Sequence, residues 1–188
     1  VVERFSTSIF VTRLLIPMVH IRGKPIRPTA LFVRSTCILF DNPVSEQYTS
    51  VPISLHGNLA IALHPDEAYA LVKAPNGETY IMAEALTEKV MKIGGVEHYE
   101  IVETHPGAFF ENMLASHPFL PKTSRLVLAD YVTMDSGTGC VHTAPGFGAD
   151  DYQTCKRYGM DMVVPVDDQG RHTDYAGKYA GMVVEESN

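Results

Sequence analysis

The run Asp135-Ser136-Gly137-Thr138-Gly139-Cys140-Val141-His142-Thr143-Ala144-Pro145-Gly146-Phe147-Gly148-Ala149-Asp150-Asp151-Tyr152 packs a turn, a short strand, a glycine loop and a helix start into 18 residues. Glycine lets a backbone approach a ligand closely and aim its N–H and C=O groups inward. A strand ending near His142, then Pro145–Gly148, then a helix opening at Asp150 is a common frame for a small-molecule pocket. Each part also has a plainer role. Loop glycines punctuate turns, paired acids at a helix start cap it, and a single buried histidine is usually structural. The run is neither GxGxxG nor a Walker loop, so it supports no nucleotide site of those kinds. Ser136, His142 and Asp151 supply the residue types of a hydrolytic triad, but no nucleophile elbow accompanies them.

Working outward, Asp150–Tyr158 reads as a helix, with acids in its first turn, Lys156 and Arg157 in its last, and Gly159 just past it. Arg125–Met134, Gly139–Thr143 and Met162–Val166 read as strands, as does Leu59–Leu63. Tyr69–Lys73 and Glu78–Met82 flank Ala74-Pro75-Asn76-Gly77, a hairpin turn signal. Ala83–Ile93 fits a helix, with Leu86, Val90 and Ile93 on one face and Gly94-Gly95 as its stop. Short strands with glycine-rich turns and few helices predict a β-rich α+β domain.

With 188 residues, the chain is long enough for one domain with a real core. No apolar run approaches the roughly 18 residues a membrane helix needs, so no membrane partner is expected. Cys37, Cys140 and Cys155 show no CxxC spacing, and His105, His117 and His172 are scattered. The pattern predicts neither a disulfide framework nor a zinc site, and it suits a reducing cytoplasm. A formal charge of −7 argues against a broad nucleic-acid-coating surface, though not against a local contact with an RNA end. Residues 13–56 stand apart, with five basic against two acidic residues and five of the twelve prolines. They show neither alternation nor helical period and read as poorly defined structure.

Taken together, Gly137–Tyr152 closely resembles the signature of the editing domain (CP1) of isoleucyl-tRNA synthetases, in which GTG, then HTAPG, a glycine and an acidic pair follow in order. Ser8-Ile9-Phe10-Val11, Gly57-Asn58-Leu59-Ala60-Ile61-Ala62-Leu63-His64-Pro65, Ser116-His117-Pro118-Phe119 and Pro165-Val166-Asp167-Asp168-Gln169-Gly170 agree with it in order. The resemblance implies a single editing domain over 1–188, cut from a larger synthetase, with a β-barrel-like core and short peripheral helices. It implies hydrolysis of valine mis-esterified to tRNA(Ile), without cofactor or metal. The implied partners are the 3′ end of the aminoacylated tRNA, its valine moiety and the rest of the parent synthetase.

By the same resemblance, Asp151 holds the substrate α-ammonium, and a place in the first helical turn favours its ionised form. His142 bounds the side-chain pocket. Asn58, Gly137, Thr138, Gly139 and Thr143 match positions that hold the ester and the attacking water. Two departures stand out. Phe147 occupies a place where the family usually has a histidine. Before Gly57 the family has a threonine-rich strand with a tryptophan, whereas this chain has Gln47–His56 and no tryptophan at all. Residues 13–56 are thus an anomalous segment, either a divergent insertion or an altered reading frame between intact flanks. Thr49, Ser50 and Ser54 inherit no role from it. Loss of the threonine wall leaves a second expectation, a module that binds the aminoacyl-tRNA end without hydrolysing it.

Overall fold

The computed structural model describes residues 12–14, 19–21, 24–26, 30–33, 53–117 and 120–184, the first four segments as backbone strands. Ser8–Val11, Thr49, Ser50, Cys37 and Pro118-Phe119 lie outside the described residues.

Eleven strands are described, β1 (Thr12–Leu14), β2 (Val19–Ile21), β3 (Lys24–Ile26), β4 (Ala30–Val33), β5 (Ala60–Leu63), β6 (Ala68–Lys73), β7 (Thr79–Ala83), β8 (Glu100–Pro106), β9 (Leu114–Ser116), β10 (Thr123–Leu128) and β11 (Val141–Thr143). Two helices accompany them, α1 (Thr87–Ile93) and α2 (Ala149–Arg157). One sheet runs β1-β4-β7-β6-β8 and a second runs β11-β5-β10-β9, while β2 and β3 pair by themselves. Both larger sheets are mixed, with β4 parallel to β7 and β10 parallel to β5. The β-rich α+β architecture with short helices is as expected; the described sheets do not close into a barrel.

The strand pleat explains the layers. Ile61 and Leu63 of β5 face Tyr69, Leu71 and Ile81 of the first sheet, with Leu126 and Phe110 completing that core. On the opposite face of β5, Ala60 and Ala62 pack with Val127, Ala129 and Val132 towards Tyr158 and Met160, just beyond α2. On the outer face of β6 and β7, Ala70, Val72 and Met82 pack with Met91 of α1. Strands covered on both faces read as continuous apolar runs, which is why β5 and the β6–β7 hairpin are visible in the sequence.

Four sequence expectations are corrected. Arg125–Met134 is not one long strand, since β10 ends at Leu128 and a turn follows. Met162–Val166 forms only an isolated bridge, Val166 to His172; Pro165, with no N–H, cannot donate to a ladder there. The helix expected from Ala83 starts as a 3-10 turn over Glu84–Leu86 and becomes α-helical only at Thr87. The segment read as poorly defined carries β1 to β4, two of them in the first sheet. No helix among the described residues is long and apolar enough to cross a membrane.

Candidate functional site

The register of the second sheet builds the site. Arg125 of β10 pairs with Ala60 of β5, and His142 of β11 pairs with Ile61. Asn58, two residues before β5, therefore lies between Ser124 on one flank and His142 on the other. Its Nδ2 is 2.9 Å from the Ala60 carbonyl and 2.7 Å from His142 Nδ1. Its Oδ1 accepts the Ser124 hydroxyl.

These contacts fix the chemistry of the ring. A backbone carbonyl can only accept, so the Ala60 oxygen orients the amide with Nδ2 towards it. The second Nδ2 hydrogen then donates to His142 Nδ1, which must be unprotonated, and the neutral ring carries its proton on Nε2. Nε2 is buried and has no hydrogen-bond partner among the described residues. Burial pushes the His142 imidazole down to about 4, assisted by the nearby His117 and by the Lys122 ammonium. The ring is therefore neutral throughout the physiological range.

His142 lines a pocket of about 240 Å³ with Ser54, Val141, Phe147 and Asp151. Asp151 stands in the first turn of α2 but does not cap it; the residue at the cap position is Gly148, and no side chain bonds the helix N-terminus there. Instead Asp151 Oδ2 accepts the Ala144 N–H at 2.8 Å, across the loop that joins β11 to α2. Its Oδ1 lies 3.5 Å from the Tyr131 hydroxyl, at the outer limit of a hydrogen bond. Burial raises the carboxyl above the usual carboxylate range, outweighing the opposing Ala144 N–H and Tyr131 hydroxyl. This is the reverse of the direction that the helix dipole alone would give. A cation in the pocket would favour the ionised form again.

Of the residues expected at the site, the structure brings together Asp151 and His142 on the pocket wall, with Asn58 bonded behind His142. Thr143 is wholly buried, its hydroxyl 3.5 Å from that of Tyr131, and it is not on the wall. Gly137, Thr138 and Gly139 are not brought to the wall. The Thr138 carbonyl accepts the Ala83 N–H at 2.8 Å, and the Gly139 carbonyl accepts the Tyr69 hydroxyl at 2.6 Å. A Cβ on Gly139 would meet that of Ala83 at 2.5 Å. This turn ties the second sheet to the first.

Three contributors had no sequence signal of their own. Ser54 reaches the wall from a 3-10 turn, Ile53–Leu55, which His117 pins by its Nε2 contact with the Leu55 carbonyl at 3.0 Å. Tyr131 reaches Asp151 from the turn after β10. Ser124 is brought in by sheet register alone. Phe147 is half-exposed on the wall, and its ring lies 2.9 Å from where a Cβ of Gly57 would stand, so Gly57 makes room for it.

The pocket wall therefore carries one carboxylate, one neutral imidazole whose Nε2 is itself buried, one hydroxyl and two apolar surfaces, Val141 and Phe147. That set suits a small ligand carrying a cation, an acceptor oxygen and a short apolar group. The family model for the editing domain of leucyl-tRNA synthetase matches residues 46–187, and the chain belongs to this family of synthetase editing domains. Among curated proteins its relatives include isoleucine–tRNA ligases. That of Petrotoga mobilis is 45% identical over 159 residues, 85% of this chain and 17% of the relative. That of Kosmotoga olearia is 50% identical over 141 residues, 75% of this chain and 15% of the relative. The chain thus spans 15–17% of the length of these relatives. Among solved structures it is similar to the P. falciparum cytosolic leucyl-tRNA synthetase editing domain, at 15% identity and a TM-score of 0.47, covering 57% of this chain and 44% of that one.

Proposed function

We propose that this pocket hydrolyses valine wrongly esterified to the isoleucine tRNA, acting on the 3′ end of the aminoacylated tRNA as part of a parent synthetase. The observation that carries the reading is that Asp151 and His142 share the wall of one small pocket. Isoleucine and valine differ by one methylene, which a single hydrophobic pocket separates by only about 1–3 kcal/mol, and this pair of amino acids is the usual illustration of that limit. A second site that rejects the larger side chain and destroys the smaller ester supplies the missing discrimination.

In this reading the substrate ammonium pairs with the Asp151 carboxylate, and the isopropyl group rests on Val141. His142 bounds the pocket on the side where isoleucine would need room. A water attacks the ester carbonyl carbon, the bond from that carbon to the ribose oxygen breaks, and the ribose oxygen takes up a proton. The His142 Nε2–H donates to the oxygen that gains negative charge. A neutral, water-excluded donor of this kind acts without reorganising. The protein forms no covalent intermediate in this scheme and contributes no cofactor.

The test is release of valine from Val-tRNA(Ile) by this chain, with Ile-tRNA(Ile) as the control. Selective release of valine supports the reading. Binding of the tRNA end with no release from either ester would assign the domain to binding alone.

A further inference from the structure

We propose that Ser124 is a positioning residue for this pocket: through the Asn58 amide it holds His142 in the tautomer that presents an Nε2–H donor to the substrate. The proposal rests on the hydrolytic reading and extends it to a strand, β10, that supplies no residue of the pocket wall.

Ser124 lies on β10, Asn58 just before β5 and His142 on β11, and all three are buried, at 0%, 1% and 6% exposure. Every hydrogen-bonding atom of the Asn58 amide is engaged, with Oδ1 by the Ser124 hydroxyl and Nδ2 by the Ala60 carbonyl and His142 Nδ1. The single polar atom of the relay left over is His142 Nε2, on a residue of the pocket wall. Buried polar atoms are nearly always bonded, so an orphan of this kind marks the place of a ligand group or a water. Because Nδ1 accepts, Nε2 can only donate, and a valyl ester offers it carbonyl and water oxygens as acceptors.

Ser124 is what keeps the amide in place from the far side. Without its hydroxyl, Asn58 Oδ1 becomes a buried acceptor with no partner. The amide relieves that by rotating, which draws Nδ2 away from His142 and releases the choice of tautomer. Ser124→Ala removes one oxygen from a residue that is not on the pocket wall, and that oxygen's bond is to Asn58, so the relay is the route by which it acts on the reaction.

The experiment reads the imidazole nitrogens of His142 by 15N-resolved NMR, together with single-turnover release of valine from Val-tRNA(Ile). In the wild type, Nδ1 should be unprotonated and Nε2 protonated. Ser124→Ala should mix the two tautomers and slow the chemical step about 10-fold, with substrate affinity changed less than about 2-fold. Asn58→Asp, which places an acceptor opposite Nδ1, should move the proton to Nδ1, and it carries the test should Ser124→Ala fail to fold. Wild-type nitrogen shifts and full rate in a folded Ser124→Ala protein, or an unmoved proton in Asn58→Asp, would overturn the proposal. A wild-type protein with the expected tautomer but no valine release supports the relay and overturns the hydrolytic reading instead.

Discussion

The Asp151 carboxylate accepts the backbone N–H of Ala144 at 2.8 Å, so one residue of α2 closes the loop that follows β11 and at the same time lines the pocket. An acid in a first helical turn usually serves that helix; this one is turned to the preceding loop and leaves its other oxygen near Tyr131. Asp151→Asn separates the two duties. Its amide oxygen can still accept from Ala144, while the charge is gone. Valine release should fall by at least about 100-fold, because a desolvated ion pair loses one partner. Thermal unfolding should move by less than about 4 °C, the effect of roughly 1 kcal/mol in a domain of this size. Single-turnover deacylation beside a melting curve measures both.

His142→Ala should loosen selectivity more than it lowers stability. It removes the wall that bounds the side chain and the buried Nε2–H of the relay. Hydrolysis of both esters should slow with the loss of the Nε2–H donor, and the preference for valine over isoleucine should drop about 10-fold or more, the range one methylene commands. Parallel time courses on the two esters check this.

Gly139→Ala should damage the fold. The residue has φ +73°, and a Cβ there would stand 2.5 Å from that of Ala83. Left-handed backbone costs a residue with a side chain about 1–2 kcal/mol, and overpacking adds about 1–3 kcal/mol. A loss of about 2–5 kcal/mol in chemical denaturation is expected, although Gly139 does not line the pocket. A change below about 1 kcal/mol would mean that the two sheets do not meet at this turn.

Stability should fall as pH drops from about 6.5 towards 4. Burial holds both His142 and His117 down at about 4 in the folded chain, while in the unfolded chain histidine titrates near 6.5. Between those values the unfolded state binds more protons, so acid favours unfolding, by up to about two protons per molecule from this pair. The raised Asp151 carboxyl works in the opposite sense just above the ordinary carboxylate range. Denaturation midpoints at pH 7, 6 and 5 should decline in that order. With His142→Ala the decline should be shallower.

Legibility in the sequence followed local chemistry. Asn76-Gly77 marks a hairpin by itself, and Gly77 indeed has φ +82°. Acids at the start, bases at the end and a following glycine mark α2 without any tertiary contact. Strand β8 carries no sequence signal because it is an edge strand whose Ile101 and Val102 are exposed, so it shows no half-buried alternation. The strands before residue 34 carry no signal because Pro25 and a run of bases mask any period. At the site, Asp151 and His142 share one signature run, so resemblance alone could name both. The Asn58–His142 bond spans 84 residues, and the Ser124–Asn58 bond 66; sheet register creates both. Ser54 and Tyr131 are likewise placed by turns whose ends are held elsewhere. The Gly137–Gly139 turn shows the converse, a run whose signature suggested ligand contact and whose contacts lie in the seam between the sheets.

The most direct test of the central claim, that the pocket recognises an aminoacyl ester by its ammonium through Asp151, compares release of valine from Val-tRNA(Ile) and from the same tRNA carrying N-acetylvaline, with wild-type protein and Asp151→Asn. The wild type should hydrolyse the free-amine ester at least about 100-fold faster than the acetylated one, and Asp151→Asn should bring the two rates together by lowering the first. Equal rates on both esters with the wild-type protein would contradict the account, because a site blind to the ammonium would have no use for that carboxylate.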